Sequence, residues 1–179
     1  MKKIQKKLSC TILCFFLLLF NQTAIASEFI LGATAYKQGD LVQAFEYWER
    51  DAKSGSSTAQ FNLGVLYGAG LGVKQDFDQS YDWYQLSASN NHPMGQLQMG
   101  FLYYYKNKNF TEAAKWLHLA ATQNNPRAMY RLSMMYTTGT GVPQNLGRAV
   151  EFQSESEKHI CSMGIGLEST LMAPILEQQ

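Results

Sequence analysis

Several stretches of the chain hold residue types that could do chemistry. Gly68, Gly70 and Gly72 follow the apolar run FNLGVLY, a composition that suits a loop cradling a phosphate. Such a loop needs a strand before its glycines and a helix at once after them, with Gly-Lys-Ser/Thr at the join. FNLGVLY instead carries helical spacing, and no Gly-Lys-Ser/Thr follows, so the glycines are read as turn formers that supply positive φ where one helix ends and the chain reverses. His159, Cys161 and Met163 offer imidazole, thiol and thioether within five residues, soft ligands of the kind that hold Cu(I). One short run without partners elsewhere assigns no metal. His92, His118 and His159 lie in different segments with no H-x-x-x-H or H-E-x-x-H spacing, and His92, in the turn NNHP, is read as solvated. Asp76, Asp78 and Asp82 fall on a helix start and its outer face, where the helix dipole accounts for acidic residues without catalysis. No nucleophile, base and orienting group come together, so the chain is read as a non-enzyme with no cofactor and no metal site.

The first 26 residues read as an address. Lys2, Lys3, Lys6 and Lys7 precede an apolar run from Leu8 to Phe20 and then Ala24-Ile25-Ala26, the pattern of a signal peptide cleaved after Ala26. The apolar run is short of the roughly 20 residues a spanning helix needs, and Cys14 lacks the small neighbours of a lipid-attachment site. The expectation is a periplasmic or secreted protein with no stable membrane insertion after cleavage. Residues 27–179 carry 11 Lys and Arg against 14 Asp and Glu, a formal charge of −3, which argues against a nucleic-acid partner. Only Cys161 remains in that span, so no internal disulfide is available and stability must come from packing.

The elements that position these residues repeat along the chain. Leu31-Gly32, Leu63-Gly64, Met99-Gly100 and Leu132-Ser133 align as one pair of positions, and Ala44, Ser80, Ala113 and Ala149 as another. Ala44 to Leu63, Ser80 to Met99 and Ala113 to Leu132 are each 19 residues apart, whereas the intervening distances vary between 13 and 17. Length variation therefore sits in one loop per repeat. Each half-repeat has apolar residues at spacings of three and four, the signature of a helix, and the small residue leaves room for a neighbouring helix. Tyr47, Trp83, Trp116 and Phe152 stand three residues after the second small position and are expected between helices. Asp40, Asp76, Asn109 and Asn145 stand four residues before it, where each would cap a helix, with Gln43, Gln79 and Glu112 three residues on as in a capping box.

Gly-x-Gly-Val between two helices, followed by second helices of the Ala-x-x-Trp-Tyr type, resembles the Sel1-like repeats, the longer-loop relatives of tetratricopeptide repeats. Residues 59–92 and 128–160 look like Sel1 units, while AYKQGDLVQAFEYW and YYYKNKNFTEAAKW have the shorter tetratricopeptide loop. The resemblance implies an all-α, right-handed solenoid of about four helix pairs over residues 27–160, with residues 161–179 as a capping helix or tail. It also implies a scaffold that binds a protein or peptide. Exported relatives of this type include envelope-assembly factors, signalling regulators, host-interaction proteins and immunity proteins against secreted toxins. Cysteine-rich Sel1-like proteins have been linked to penicillin binding, but this chain lacks their paired cysteines and has no Ser-x-x-Lys, which leaves an enzyme acting on peptidoglycan or β-lactams as a weaker alternative. In solenoids of this type the first helix of each repeat lines the concave groove. The positions two before and two after the aligned apolar residue would face it: Phe29 and Ala33, Phe61 and Val65, Leu97 and Phe101, Tyr130 and Met134, extended by Tyr104 and Tyr105. In the last second helix Gln153, Ser156 and Glu157 replace the apolar pattern, as expected of a polar outer cap.

Overall fold

Each of the four Asx positions starts a helix by satisfying a backbone N–H that the helix cannot satisfy itself. Asp40 Oδ1 accepts from the Gln43 N–H at 3.0 Å, Asp76 Oδ1 from Asp78 and Gln79 at 3.0 Å each, Asn109 Oδ1 from Glu112 at 3.1 Å and Asn145 Oδ1 from Arg148 at 3.0 Å. The alternate helices are capped by Ser56, His92 and Asn125, with Pro93 and Pro126 opening two of them. His92 is thus not simply solvated. Its Nδ1 accepts from the Gly95 N–H at 3.3 Å.

The computed structural model describes residues 28–162, and among the described residues there are eight helices and no strand. They are α1 over 28–38, α2 Leu41–Lys53, α3 Ser57–Ala69, α4 Phe77–Ser89, α5 Pro93–Tyr105, α6 Phe110–Thr122, α7 Pro126–Thr138 and α8 Leu146–Ser162. The chain divides into two compact units, one through Trp83 and one from Tyr84, so the division falls inside α4. Residues 1–26, read as a signal peptide, and most of the tail lie outside the described residues. No described helix is long and apolar enough to cross a membrane.

In the first unit Ala35, Ala44, Trp48, Ala52, Ala59, Leu63 and Leu66 form the core. Gly32 is there because Trp48 is: a Cβ on Gly32 would sit 2.5 Å from the indole Cδ1 and Nε1. Ser80 Oγ donates to the Gly64 carbonyl at 2.7 Å, tying α4 to α3 at the other small residue. The second unit repeats the device, with a Cβ on Gly100 falling 2.7 Å from Leu117 Cγ. Its core runs from Leu97 and Phe101 through Ala113 and Leu117 to Leu132 and Met135.

Of the aromatics three residues after the small position, Tyr47, Trp83 and Phe152 pack against the cores from their edges, and in the first three pairs the residue four after it is the more deeply buried one. Trp48, Tyr84 and Leu117 are 5%, 7% and 0% exposed, whereas Tyr47, Trp83, Trp116 and Phe152 are all half-buried. Successive residues turn about 100° around a helix, so position four lies about 40° from the small residue's direction and position three about 60° to its other side. Ser156, expected on a polar outer cap, is likewise buried, and its Oγ donates to the Pro126 carbonyl at 2.8 Å. Gln153 and Glu157 are exposed and bonded to each other.

The long loops need their glycines twice over. Gly70 and Gly139 end α3 and α7 in the left-handed conformation, at φ 67 and 74. Gly72 and Gly141, at φ 71 and 73, also press onto the first residue of an earlier second helix: a Cβ would lie 2.1 Å from the Leu41 carbonyl oxygen in one loop and 2.3 Å from that of Phe110 in the other.

Candidate partner-binding surface

The residues expected to line a groove divide between core and surface. Leu97 is fully buried and Phe101 is 6% exposed, both members of the second unit's core, so neither offers a surface to a partner. Arg127 and Arg131 of α7 lie over the Phe101 ring, and Leu117 of α6 closes on Gly100 beside it. Phe61, Val65, Tyr104 and Tyr130 are half-buried. Phe29 and Ala33 pack against the first unit's core. Tyr105 and Met134, 39% and 42% exposed, are the large side chains of this set that reach solvent.

In the second unit the structure gathers Phe101, Tyr104, Tyr105 and Met134 around a residue the sequence reading passed over, Arg131. Its guanidinium carbon lies 5.3 Å from the ring centres of both Tyr104 and Tyr105 and 5.7 Å from that of Phe101. Nη2 donates to the Tyr105 hydroxyl, and Nη1 approaches Met134 Sδ at 4.0 Å. Tyr104 is held edge-on between Tyr105 and Phe110, at 4.9 and 5.0 Å. Arg127, one turn earlier on α7, lies 5.8 Å over Phe101, and burial, then the charge of Arg131, push its pKa below the usual arginine value. A guanidinium stacked on aromatic faces keeps its edge donors for a planar acceptor such as a carboxylate. One signal in the sequence could have found this: α3, α5 and α7 contain no Asp or Glu, and Arg127 and Arg131 are their only charged residues.

A second cluster lies between α6 and α8, where His118, Arg148, Glu151, Phe152 and Glu155 line a pocket of about 290 Å³. Arg148 Nη1 donates to the Tyr136 hydroxyl at 2.9 Å, and that hydroxyl also shares a hydrogen bond with His118 Nε2 at 3.1 Å. Burial followed by the Arg148 charge lowers the pKa of His118. Phe152 stacks on Tyr136 at 5.8 Å, with His118 edge-on to both. The lining contains no Ser, Thr, Cys or Lys; its ionisable groups besides His118 are Arg148, Glu151 and Glu155. Among the described residues no three His, Cys, Asp or Glu side chains are placed to hold a metal ion. His159 and Cys161 both lie on α8, and two residues apart they point to nearly opposite sides of it.

The family model of the Sel1 repeat matches residues 26–56, 57–92, 93–125 and 126–152, so the short-loop pairs match it as well as the long-loop pairs. Among solved structures the chain is similar to a Sel1 repeat protein from Oxalobacter formigenes, with 29% identity, a TM-score of 0.69 and coverage of 75% of this chain and 58% of that one. It is also similar to c5321, a protective antigen present in uropathogenic Escherichia coli strains that displays an SLR fold, with 28% identity, a TM-score of 0.68 and coverage of 84% and 36%. Over 66 residues it is 34% identical to the chitin synthase regulator SKT5 of Saccharomyces cerevisiae, a match of 37% of this chain and 10% of the yeast protein. The chain thus spans only part of each of these relatives.

Proposed function

The chain belongs to the Sel1 repeat family, and from that membership we propose that it is a non-catalytic protein-binding module of the bacterial cell envelope, engaging its partner through the first helices of its repeats. Sel1-repeat proteins are generally protein-interaction scaffolds, and typically not enzymes. The observation that carries the choice of face is the cluster on α5 and α7, where Tyr105 and Met134 expose apolar surface beside a stacked guanidinium. Interface hot spots are enriched in Tyr and Arg, Tyr being a rigid, amphipathic side chain that loses little entropy on binding. The envelope assignment is supported by the lysines and apolar run of the first 26 residues.

The test places a photo-crosslinking amino acid at Tyr105, at Met134 and, as the contrasting position, at exposed Lys115 on α6, in cells that express the full chain. Adducts to one protein from positions 105 and 134, recovered in the envelope fraction, support the proposal. Adducts from position 115 alone would move the binding face to the second helices, and recovery of the chain in the cytosol would remove the envelope role.

A further inference from the structure

We infer that the face of α5 and α7 receives an acidic segment of a partner polypeptide, with a carboxylate held by Arg131 and a neighbouring apolar side chain against Tyr105 and Met134. The inference rests on the proposed use of this face and adds the chemistry of what it binds. Charge is distributed by helix. Of the first helices α1 carries Glu28 while α3, α5 and α7 have no carboxylate, whereas every second helix carries at least one, balanced in α2, α6 and α8 by Arg50 and Lys53, Lys115, and Arg148 and Lys158. An acidic segment meets no like charge on α3, α5 or α7 and is drawn to the guanidinium of Arg131.

The geometry is prepared for that ligand. Arg131 is fixed by three rings and the Tyr105 hydroxyl, so little side-chain freedom is lost when a carboxylate docks. Of its five N–H donors, one meets that hydroxyl and one approaches a thioether, which leaves three for a carboxylate. Arg131 belongs to none of the ion pairs of Arg50 with Glu28, Lys53 with Glu49 and Lys115 with Glu112. Arg127 and Arg131 are like charges one turn apart on one helix face. Arg127, partly withdrawn from water, has its pKa lowered in part by that same repulsion.

The experiment pans a phage-displayed library of random dodecapeptides against protein purified from cells expressing the full chain. Binding of the enriched peptides is then measured by fluorescence polarisation. The inference expects enrichment of Asp or Glu beside an apolar residue, and affinity that drops with added salt. Arg131→Ala should weaken binding by about tenfold or more with an unchanged melt, and Arg131→Lys, which keeps the charge but not the fork, should fall between. Enriched peptides that carry no acidic residues and depend on Tyr105 and Met134 but not on Arg131 would overturn the acidic partner while leaving the binding face in place. Peptides indifferent to all three substitutions, or no enrichment at all, would overturn both. A thymidine oligonucleotide binding as tightly as the best peptide would also refute the inference, since the site would then read phosphate rather than a polypeptide carboxylate.

Discussion

Gly72→Ala should destabilise the protein far more than Gly39→Ala, although both glycines have positive φ. Gly39, at φ 82, has nothing within 4 Å of the position a Cβ would take, so alanine there meets only the backbone cost of the left-handed conformation, about 1–2 kcal/mol. Gly72, at φ 71, incurs the same cost and a collision: the added carbon would lie 2.1 Å from the Leu41 carbonyl oxygen, 2.4 Å from its carbon and 2.9 Å from the Val42 nitrogen. These are backbone atoms of a capped helix start and cannot rotate away as a side chain could. The loop must lift instead, pulling Leu71 and Val73 off the core they pack against, which adds roughly 1–3 kcal/mol as overpacking does. Gly70, at φ 67 with Gln75 Cβ 3.2 Å from its would-be Cβ, should fall close to Gly39. Urea titration of the three mutants followed by circular dichroism, with the slope checked for constancy, gives the order directly. At this chain length about 1 kcal/mol corresponds to roughly 2–4 °C in Tm, so the gap between Gly72→Ala and Gly39→Ala should be several degrees. Equal losses in the two mutants would refute the close-approach argument and leave φ as the sole requirement.

Trp48→Ala should cost about 3–5 kcal/mol and Trp83→Ala or Trp116→Ala distinctly less, because only the first is a fully enclosed side chain; equal denaturant midpoints for the three would contradict the four-residue spacing. Leu97→Ala should lower the melt by about 2–5 kcal/mol while Met134→Ala leaves it within about 0.5 kcal/mol, so a melt that falls with Met134 and not with Leu97 would reverse the assignment of core and surface. His92 and His118 have their pKa lowered by burial from 6.5, so below that value the unfolded chain takes up protons first and stability falls as pH drops through their folded values. Since a protonated His92 no longer accepts the Gly95 N–H, His92→Asn should reduce that acid sensitivity, and identical pH profiles for mutant and parent would argue against the cap. Asp51 runs the other way: burial raises its pKa, the Ser56 hydroxyl opposes the rise and Glu28 adds to it. Its charged form is therefore a cost that grows as pH rises from 3.8, and Asp51→Asn should gain stability at pH 7 and gain nothing below 3.8.

Helix starts, repeat register and the turn glycines were legible in the residues because each depends on neighbours a few positions away. An Asx side chain reaches a backbone N–H two or three residues on, and a glycine adopts positive φ wherever a helix must end. The small residues at Gly32 and Gly100 could be read as points of close helix approach from their spacing alone. What fills the space opposite them could not be, since the choice between the third and the fourth following residue turns on the angle at which the partner helix arrives. The same limit applies to the surface. Phe101 is covered by Arg127 and Arg131 of α7, far along the chain, and no local pattern on α5 reports how that flank is covered. Arg131 stands 26 residues from Tyr105, and only the packing of α7 against α5 brings the guanidinium onto the tyrosine rings. The contact of Gly72 with Leu41 belongs to the same class. Local hydrogen bonding and backbone sterics are written into short stretches of sequence, whereas burial and the electrostatics of a surface arise between segments that only the folded chain brings together.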